Sequence, residues 1–417
     1  HQHISAEGWQ EEIYRQLDFS ETPMTQVTSS GGRSTLVKVQ LDDRSVYVGA
    51  WRIQVGRTNV FLLDTNVEEN TLQDRQLSAR LYIADRELRI QQEIVLGIGG
   101  VRVLRALGIK PALWHANEGH TAFMMLERIR EEVEQGATFD KAVQKVRATT
   151  AFTTHTPVPA GHDVFSSQLT EKYFYNYWGS LGIGREEFLG LGRQDGDGGQ
   201  AFNMTALALG TADKCNAVSQ LHGTVTRRMW HVLWPEFKED EVPIFSVTNG
   251  IHVPTWVAPE MSRLYERYLG EDWMERHDDP KLWERVMDIP DEELWAAREL
   301  LKRKLKGAML DWAQRRWSEA EVMPQQVMAM GSLLHPEVLT IGFVRRFAEY
   351  KRPALIFRDV ERLKRLVKDR SRPIQIIFAG KSHPADFPSK YLLNQVYCLA
   401  TDRDFQGRIA FVEDYDI

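Results

Sequence analysis

Four cations fall within the eight residues Arg345-Arg346-Phe347-Ala348-Glu349-Tyr350-Lys351-Arg352. Like charges repel by ~1 kcal/mol per exposed pair at ~4 Å in water, and by more once desolvated. The natural partner of such a group is an anion. Guanidinium forks match phosphate oxygens bidentately, and a lysine adds a point charge. Arg345 and Arg346 also precede a predicted helix start at Pro353, where the helix dipole favours acids over bases. A phosphate-type ligand resolves both conflicts, whereas a solvated charged turn resolves neither.

A second set of residues could bind sugar hydroxyls, which need paired donors and acceptors. His115-Ala116-Asn117-Glu118-Gly119-His120 follows Trp114, His155 lies between Thr154 and Thr156, and Asn249-Gly250 follows Thr248. The spacing H-x-x-E-x-H matches neither of the helical zinc patterns, so no metal site is expected. A G-x-S-x-G elbow and a G-x-x-x-x-G-K-[ST] loop are both absent, which removes serine-hydrolase and P-loop chemistry. Gly97-Ile98-Gly99-Gly100 misses the dinucleotide fingerprint because Arg102 holds its last place; close helix packing is the plainer reading.

These groups share a position relative to the predicted elements. Alternation over 34–64 predicts an antiparallel meander. Asp85 can cap a helix over 86–107. From Pro111 strands and helices alternate: a strand at 111–114, a helix over 121–135 ended by Gly136, a helix over 139–146 and a strand at 149–154. A mostly helical stretch over 203–230 and a strand at 244–248 follow, and 193–199 is a loop by composition. A Trp-, Glu- and Arg-rich helical tract covers 254–330. Then βαβαβ follows: strands at 338–344, 374–378 and 408–412, with helices over 353–367 and 389–400. Such alternation implies parallel sheets with right-handed crossovers. In open parallel sheets ligands bind beyond the carboxyl ends of the strands, which is where the polar clusters fall.

The chain has 417 residues, 43% hydrophobic and 26% charged, which excludes a disordered or collagen-like chain. Lys plus Arg total 52 against 58 acidic residues, a net charge of −6, so the basic footprint of a nucleic-acid binder is missing. No apolar run reaches the ~20 residues a membrane span needs. Two distant cysteines, Cys215 and Cys398, exclude a disulfide scaffold and suit a reducing compartment, hence a cytoplasmic protein. The opening at His1 and the end just after a strand read as a piece of a longer protein.

The motifs together resemble one family. Ala6-Glu7-Gly8-Trp9-Gln10, Trp114 to Thr121, Thr154-His155-Thr156, Val247 to Ile251, Arg345 to Arg352 and Phe411-Val412-Glu413-Asp414-Tyr415 resemble the α-glucan phosphorylases, in that family's order. The pattern is closest to the bacterial and archaeal branch. The resemblance implies an α/β fold: two Rossmann-like domains facing a cleft, with an antiparallel β-rich segment near the N-terminus. The first domain would occupy 1–253, with its meander at 34–64 and α/β part at 86–253. The second would occupy 254–417, with a helical entry at 254–330 and βαβαβ at 338–413.

The implied activity is pyridoxal-phosphate-dependent phosphorolysis of α-1,4-glucan (glycogen, starch or maltodextrin) to α-glucose 1-phosphate with retention. In the family the cofactor's phosphate relays a proton to the substrate phosphate, which protonates the glycosidic oxygen. By resemblance Arg346 and Lys351 hold the substrate phosphate, and Arg345 holds the cofactor phosphate where animal members carry lysine. His155 and Asn249 contact the glucose at the cleaved bond. Glu118 and Asn117 line the site, Tyr350 borders the sugar, and Tyr415 lies beside the cofactor. The family's cofactor lysine lies downstream of Glu-Asp-Tyr, so Lys381 is not that lysine and the chain alone should be inactive. A homo-oligomer is compatible with this reading.

Two other readings compete. A nucleotide-sugar-dependent glucan synthase of similar fold would also need cations for a diphosphate. A Trp-rich carbohydrate-binding module would have no use for the basic cluster.

Overall fold

The computed structural model describes residues 1–14, 19–28, 32, 34–81, 85–193, 201–319 and 324–415; most of the predicted 193–199 loop lies outside them. The chain forms two compact units, His1–Gln16 with Ile251–Ile417, and Leu17–Gly250. Both are mixed α/β, with parallel sheets and antiparallel strands.

The chain opens with a small antiparallel hairpin, β1 (Gln2–Ile4) and β2 (Gln10–Glu12), turned at Gly8. The sequence reading kept these residues with the N-terminal domain. They belong instead to the unit that contains the C-terminal half, because their polar side chains bond the loops after its last two strands.

In the second unit β3 (Met24–Gln26), β4 (Val37–Leu41), β5 (Arg44–Val55) and β6 (Thr58–Asp64) make the expected antiparallel meander. Val39, Leu41, Val46 and Val48 point inward and are fully buried. They pack with Ile90, Ile94 and Ile98, from the segment that Asp85 caps through the Glu87 and Leu88 amides. That segment is α-helical over Arg86–Ile94 and Gly100–Ala106, with a π-helical turn over Val95–Gly99 between them. Gly97 is there for packing: a Cβ would stand 2.7 Å from the Met124 amide nitrogen and 2.8 Å from the Phe123 Cβ.

A four-stranded parallel sheet follows, from β7 (Trp114–Asn117), β8 (Thr150–Thr154), β11 (Lys214–Ala217) and β12 (Ile244–Ser246), in spatial order β12-β11-β8-β7. A short antiparallel pair, β9 (Val164–Ser166) and β10 (Ala201–Asn203), lies outside it. Strand β11 falls inside the stretch 203–230 that the sequence reading gave as mostly helical, with no strand marked there. Lys-Cys-Asn-Ala is short and has no β-branched residue, so periodicity gave no strand signal there. Helices Met204–Thr211 and Gln220–Trp230 flank it.

This unit holds a buried ionic cluster. Glu127 is fully buried and bonds Arg102 at 2.8 Å, Arg130 at 2.9 Å and the Tyr177 hydroxyl at 2.7 Å. Burial acts to raise its pKa, but the hydrogen bonds from Arg102 and Arg130 prevail and hold the carboxyl below the ordinary range. Its stabilising contribution is therefore full above the ordinary glutamate pKa and fades as pH falls through the lowered folded value. Glu127→Gln should cost about 3–5 kcal/mol, because it leaves the Arg102 guanidinium without its counter-charge and Arg130 with only the exposed Glu134. Urea unfolding at neutral pH measures this, and the difference between the two proteins should shrink in acid.

The first unit contains the helical tract, with helices Pro259–Leu269 and Asp291–Glu319 as its longest parts. Strands β13 (Leu339–Val344), β14 (Ile374–Ala379) and β15 (Ile409–Val412) form one parallel sheet with β14 in the middle. Helix Phe387–Ala400 follows β14. The helix predicted over 353–367 begins later. Residues Leu355–Asp359 make a 3-10 turn, and Val360–Lys368 forms the α-helix, started by the Asp359 carboxylate accepting from the Arg362 amide at 2.9 Å. The dipole conflict expected from a helix start at Pro353 thus falls away, and the case for an anion rests on the repulsion among the cations. Among the described residues no helix is long and apolar enough to cross a membrane.

Candidate functional site

The polar residues gather at the carboxyl ends of both parallel sheets, and each sheet end is built by its own logic. In the second unit Asn117 ends β7 and Glu118 follows it. Glu118 has φ 71° and ψ 164°, a region nearly reserved for glycine. Such a conformation costs of order 1–3 kcal/mol and persists only where neighbours hold it. Its carboxylate accepts from the Thr154 hydroxyl at 3.1 Å, the His155 amide at 2.9 Å and the Thr156 hydroxyl at 2.9 Å. Its own amide donates to the Thr153 carbonyl at 2.8 Å. These bonds tie the ends of β7 and β8 together.

His155 is exposed, and its Nε2 pairs with the Asn117 side-chain oxygen at 2.8 Å. A polar row continues across the sheet: His115 Nε2 meets the Thr153 hydroxyl at 2.7 Å, which donates to Asn216 on β11 at 2.8 Å. Asn249 lies past β12 on the same edge, exposed, its amide donating to the Val218 carbonyl at 3.2 Å. The structure therefore joins Asn117, Glu118 and His155 directly and leaves Asn249 beyond β11. Nearby, burial and then the Arg89 charge push the His120 imidazole below its ordinary range, toward its neutral form.

Glu118→Gln should lower stability by about 1–3 kcal/mol. Three donors converge on the two carboxylate oxygens, and an amide must turn an NH₂ toward at least one of them. Thermal melting of the two proteins side by side tests this; equal midpoints would show that the carboxylate does not hold the loop.

In the first unit the basic cluster follows β13. Arg345 and Arg346 are exposed and Lys351 is half-buried. Burial first, then the charges of Arg346 and Arg345, lower the Lys351 ammonium from its ordinary range. Its Nζ stands 5.6 Å over the Tyr350 ring. Among the described residues none of Arg345, Arg346 and Lys351 forms an ion pair with a carboxylate, whereas Lys381 pairs with Asp414 at 2.8 Å. Arg352 takes φ 55° at the end of the 3-10 turn Glu349–Lys351.

The segment is held by backbone bonds: the Arg345 amide donates to Ala379 at 3.1 Å and the Phe347 amide to Lys381 at 2.9 Å. Tyr415 follows β15 and the turn at Asp414, and is half-buried. Among the described residues no group of three or more His, Cys, Asp and Glu side chains is arranged to hold a metal ion. Sequence reasoning missed two members of this site, Gln2 and Gln10, which bond the strand-end loops; nothing in a short polar strand marks them.

One sheet end thus carries an acid–imidazole–amide group and the other a basic cluster without a carboxylate partner among the described residues. Comparison with known proteins supplies the class. Residues 193–417 match the family model for carbohydrate phosphorylases, and the chain belongs to that family. It is 45% identical over 415 residues to a glycogen phosphorylase of Aquifex aeolicus, covering all of this chain and 60% of that protein. It is 42% identical over 424 residues to a maltodextrin phosphorylase of Thermococcus litoralis, covering all of this chain and 49% of that protein. A glycogen phosphorylase of Mycobacterium bovis is 41% identical over 429 residues, again with 49% of its length covered. The chain thus spans between about half and three-fifths of the length of these relatives.

Proposed function

We propose that the chain carries the phosphate-binding and sugar-binding residues of an α-glucan phosphorylase, on two Rossmann-like domains. The observation that carries this is the unpaired cluster Arg345, Arg346 and Lys351 after β13. Protein stability alone would not gather three cations without an acid. Inorganic phosphate, one substrate of phosphorolysis, gives the arrangement a purpose.

In this reading Arg346 and Lys351 bind the substrate phosphate and stabilise the charge that grows on it as the glycosidic bond breaks. His155 and Asn249 bind the glucose at the cleaved bond. Asn117 fixes the His155 ring, Glu118 holds the loop that carries it, and Tyr350 borders the sugar. A phosphate dianion beside the half-buried Lys351 favours its charged form and opposes the lowering caused by burial and the two arginines, so binding and protonation support each other.

The residues also fit pyridoxal phosphate: Arg345 has a free guanidinium for its phosphate, and Tyr415 stands after β15 to flank it. When bound, that group supplies through its phosphate the proton that the leaving oxygen needs. The substrates are α-1,4-glucan and phosphate, and the product is α-glucose 1-phosphate. Two free cysteines, Cys215 buried and Cys398 exposed, agree with a cytoplasmic setting.

The test uses the complete protein that carries this chain, incubated with maltodextrin and phosphate. Release of glucose 1-phosphate is expected. Release of free glucose without phosphate uptake, or turnover only with a nucleotide sugar, would refute the reading.

A further inference from the structure

The hairpin at the start of the chain does more than close one edge. Gln2 and Gln10 are buried, 4% and 6% exposed, and both of their amides are fully engaged. The Gln10 oxygen accepts from the Ser382 amide at 2.8 Å, and its NH₂ donates to the Ser382 carbonyl at 2.9 Å and to Glu12 at 2.8 Å. The Gln2 NH₂ donates to the Gln10 oxygen at 2.8 Å and to the Gly380 carbonyl at 3.2 Å, while its oxygen accepts from the Asp414 amide at 3.0 Å. The Gln2 backbone amide reaches the Asp414 carboxylate at 2.7 Å, and the Ile4 amide reaches Glu413 at 2.9 Å. The hairpin is anchored in turn by Trp9, stacked on Phe387 at 5.8 Å, and by Lys390 paired with Glu12 at 2.7 Å.

What the two glutamines grip is the loop 380–382, the segment against which the basic cluster is laid. The Phe347 amide bonds the Lys381 carbonyl, and Phe347 and Ser382 form a parallel bridge. The path is short: Gln10 to Ser382 backbone, Ser382 to Phe347, and Phe347 to the adjoining Arg346. We infer that Gln2 and Gln10 are positioning residues for the phosphate site, setting the loop that fixes where Arg345 and Arg346 stand. This rests on the phosphate-binding reading of the cluster. A shift of about 1 Å in a positioning group can cost about a hundredfold in rate, so a partial loss of register should be visible in phosphate use.

Gln10→Met keeps the side chain's length and removes every hydrogen bond it makes. In the complete protein it should raise the KM for phosphate about tenfold and leave the KM for maltodextrin within about twofold. By hydrogen exchange, the Phe347 and Ser382 amides should open faster relative to the Ile377 amide in β14. Gln2→Met should do the same more weakly, and serves where Gln10→Met does not fold. Val396→Ala, in the core of the same unit, supplies the comparison: at equal loss in Tm it should leave the phosphate KM and the ratio of exchange rates unchanged. A phosphate KM that rises no more in Gln10→Met than in Val396→Ala overturns the inference, provided Arg346→Ala does raise it. If Arg346→Ala itself leaves the phosphate KM unchanged, the reading of the anion site fails and the inference fails with it.

Discussion

Arg346→Ala in the complete protein should raise the KM for phosphate, lower kcat, and cut kcat/KM for phosphate by about a hundredfold, with little change in glucan binding. Arg346 has no carboxylate partner among the described residues, so no ion pair is broken by its removal. In the proposed phosphate-binding role, what is removed is one charge-assisted, fork-shaped contact to an anion, roughly twice as strong as a neutral hydrogen bond. Its effect should grow in the transition state, where negative charge concentrates on the phosphate. The folded chain should be no less stable, and relief of repulsion with Lys351 would tend to raise the ammonium's pKa toward its ordinary value. Kinetics with phosphate and maltodextrin varied separately decide the matter. An unchanged phosphate KM together with an unchanged kcat would remove Arg346 from the site.

The parts of this fold that were legible in the sequence are those where burial imposes a period. Residues 338–412 alternate apolar strands with amphipathic helices, and β13, β14 and β15 fall within a residue of their predicted limits. The meander over 34–64 was visible for the same reason, since Val39 and Leu41 are buried on either side of the exposed Gln40, and Val46 and Val48 on either side of the half-buried Tyr47. Strand β11 was not, because four residues without β-branching carry no period, and its place is settled by pairing with β8 and β12 on either side. The later start of the helix at Val360 came from a local hydrogen bond of Asp359, which competes with the proline signal at 353.

The same division holds for the site. Charged and imidazole side chains at strand ends were identifiable because chemistry selects them by type. The groups that hold them were not. Glu118 was noticed as a sugar-facing acid, yet in the structure its carboxylate is spent on Thr154, His155 and Thr156. Gln2 and Gln10 act through backbone atoms some 370 residues away along the chain, a relation that no spacing rule encodes.

A large structural effect is expected at Gly380. Its φ of 145° lies where side chains are rarely tolerated, and a Cβ there would fall on the Arg345 carbonyl oxygen and 2.8 Å from its carbonyl carbon. Neither atom is the far end of a flexible side chain, so relief requires the backbone of 345–347 or 380–382 to move. The Arg345 and Phe347 amide bonds to Ala379 and Lys381 lie on either side of the clash and oppose that movement. Backbone strain and overpacking together should cost on the order of 2–5 kcal/mol. Gly342→Ala is the matched control. Gly342 is in β13 of the same sheet, without a positive φ, and its Cβ would meet only a Val344 methyl at 3.8 Å. Denaturant unfolding should therefore show Gly380→Ala far less stable than Gly342→Ala. Where the variant still folds, its phosphate KM should rise, because the yielding segment is the one that presents Arg345 and Arg346. Equal stability of the two variants would mean that the close approach of the two strand-end loops is not what holds the cations in place.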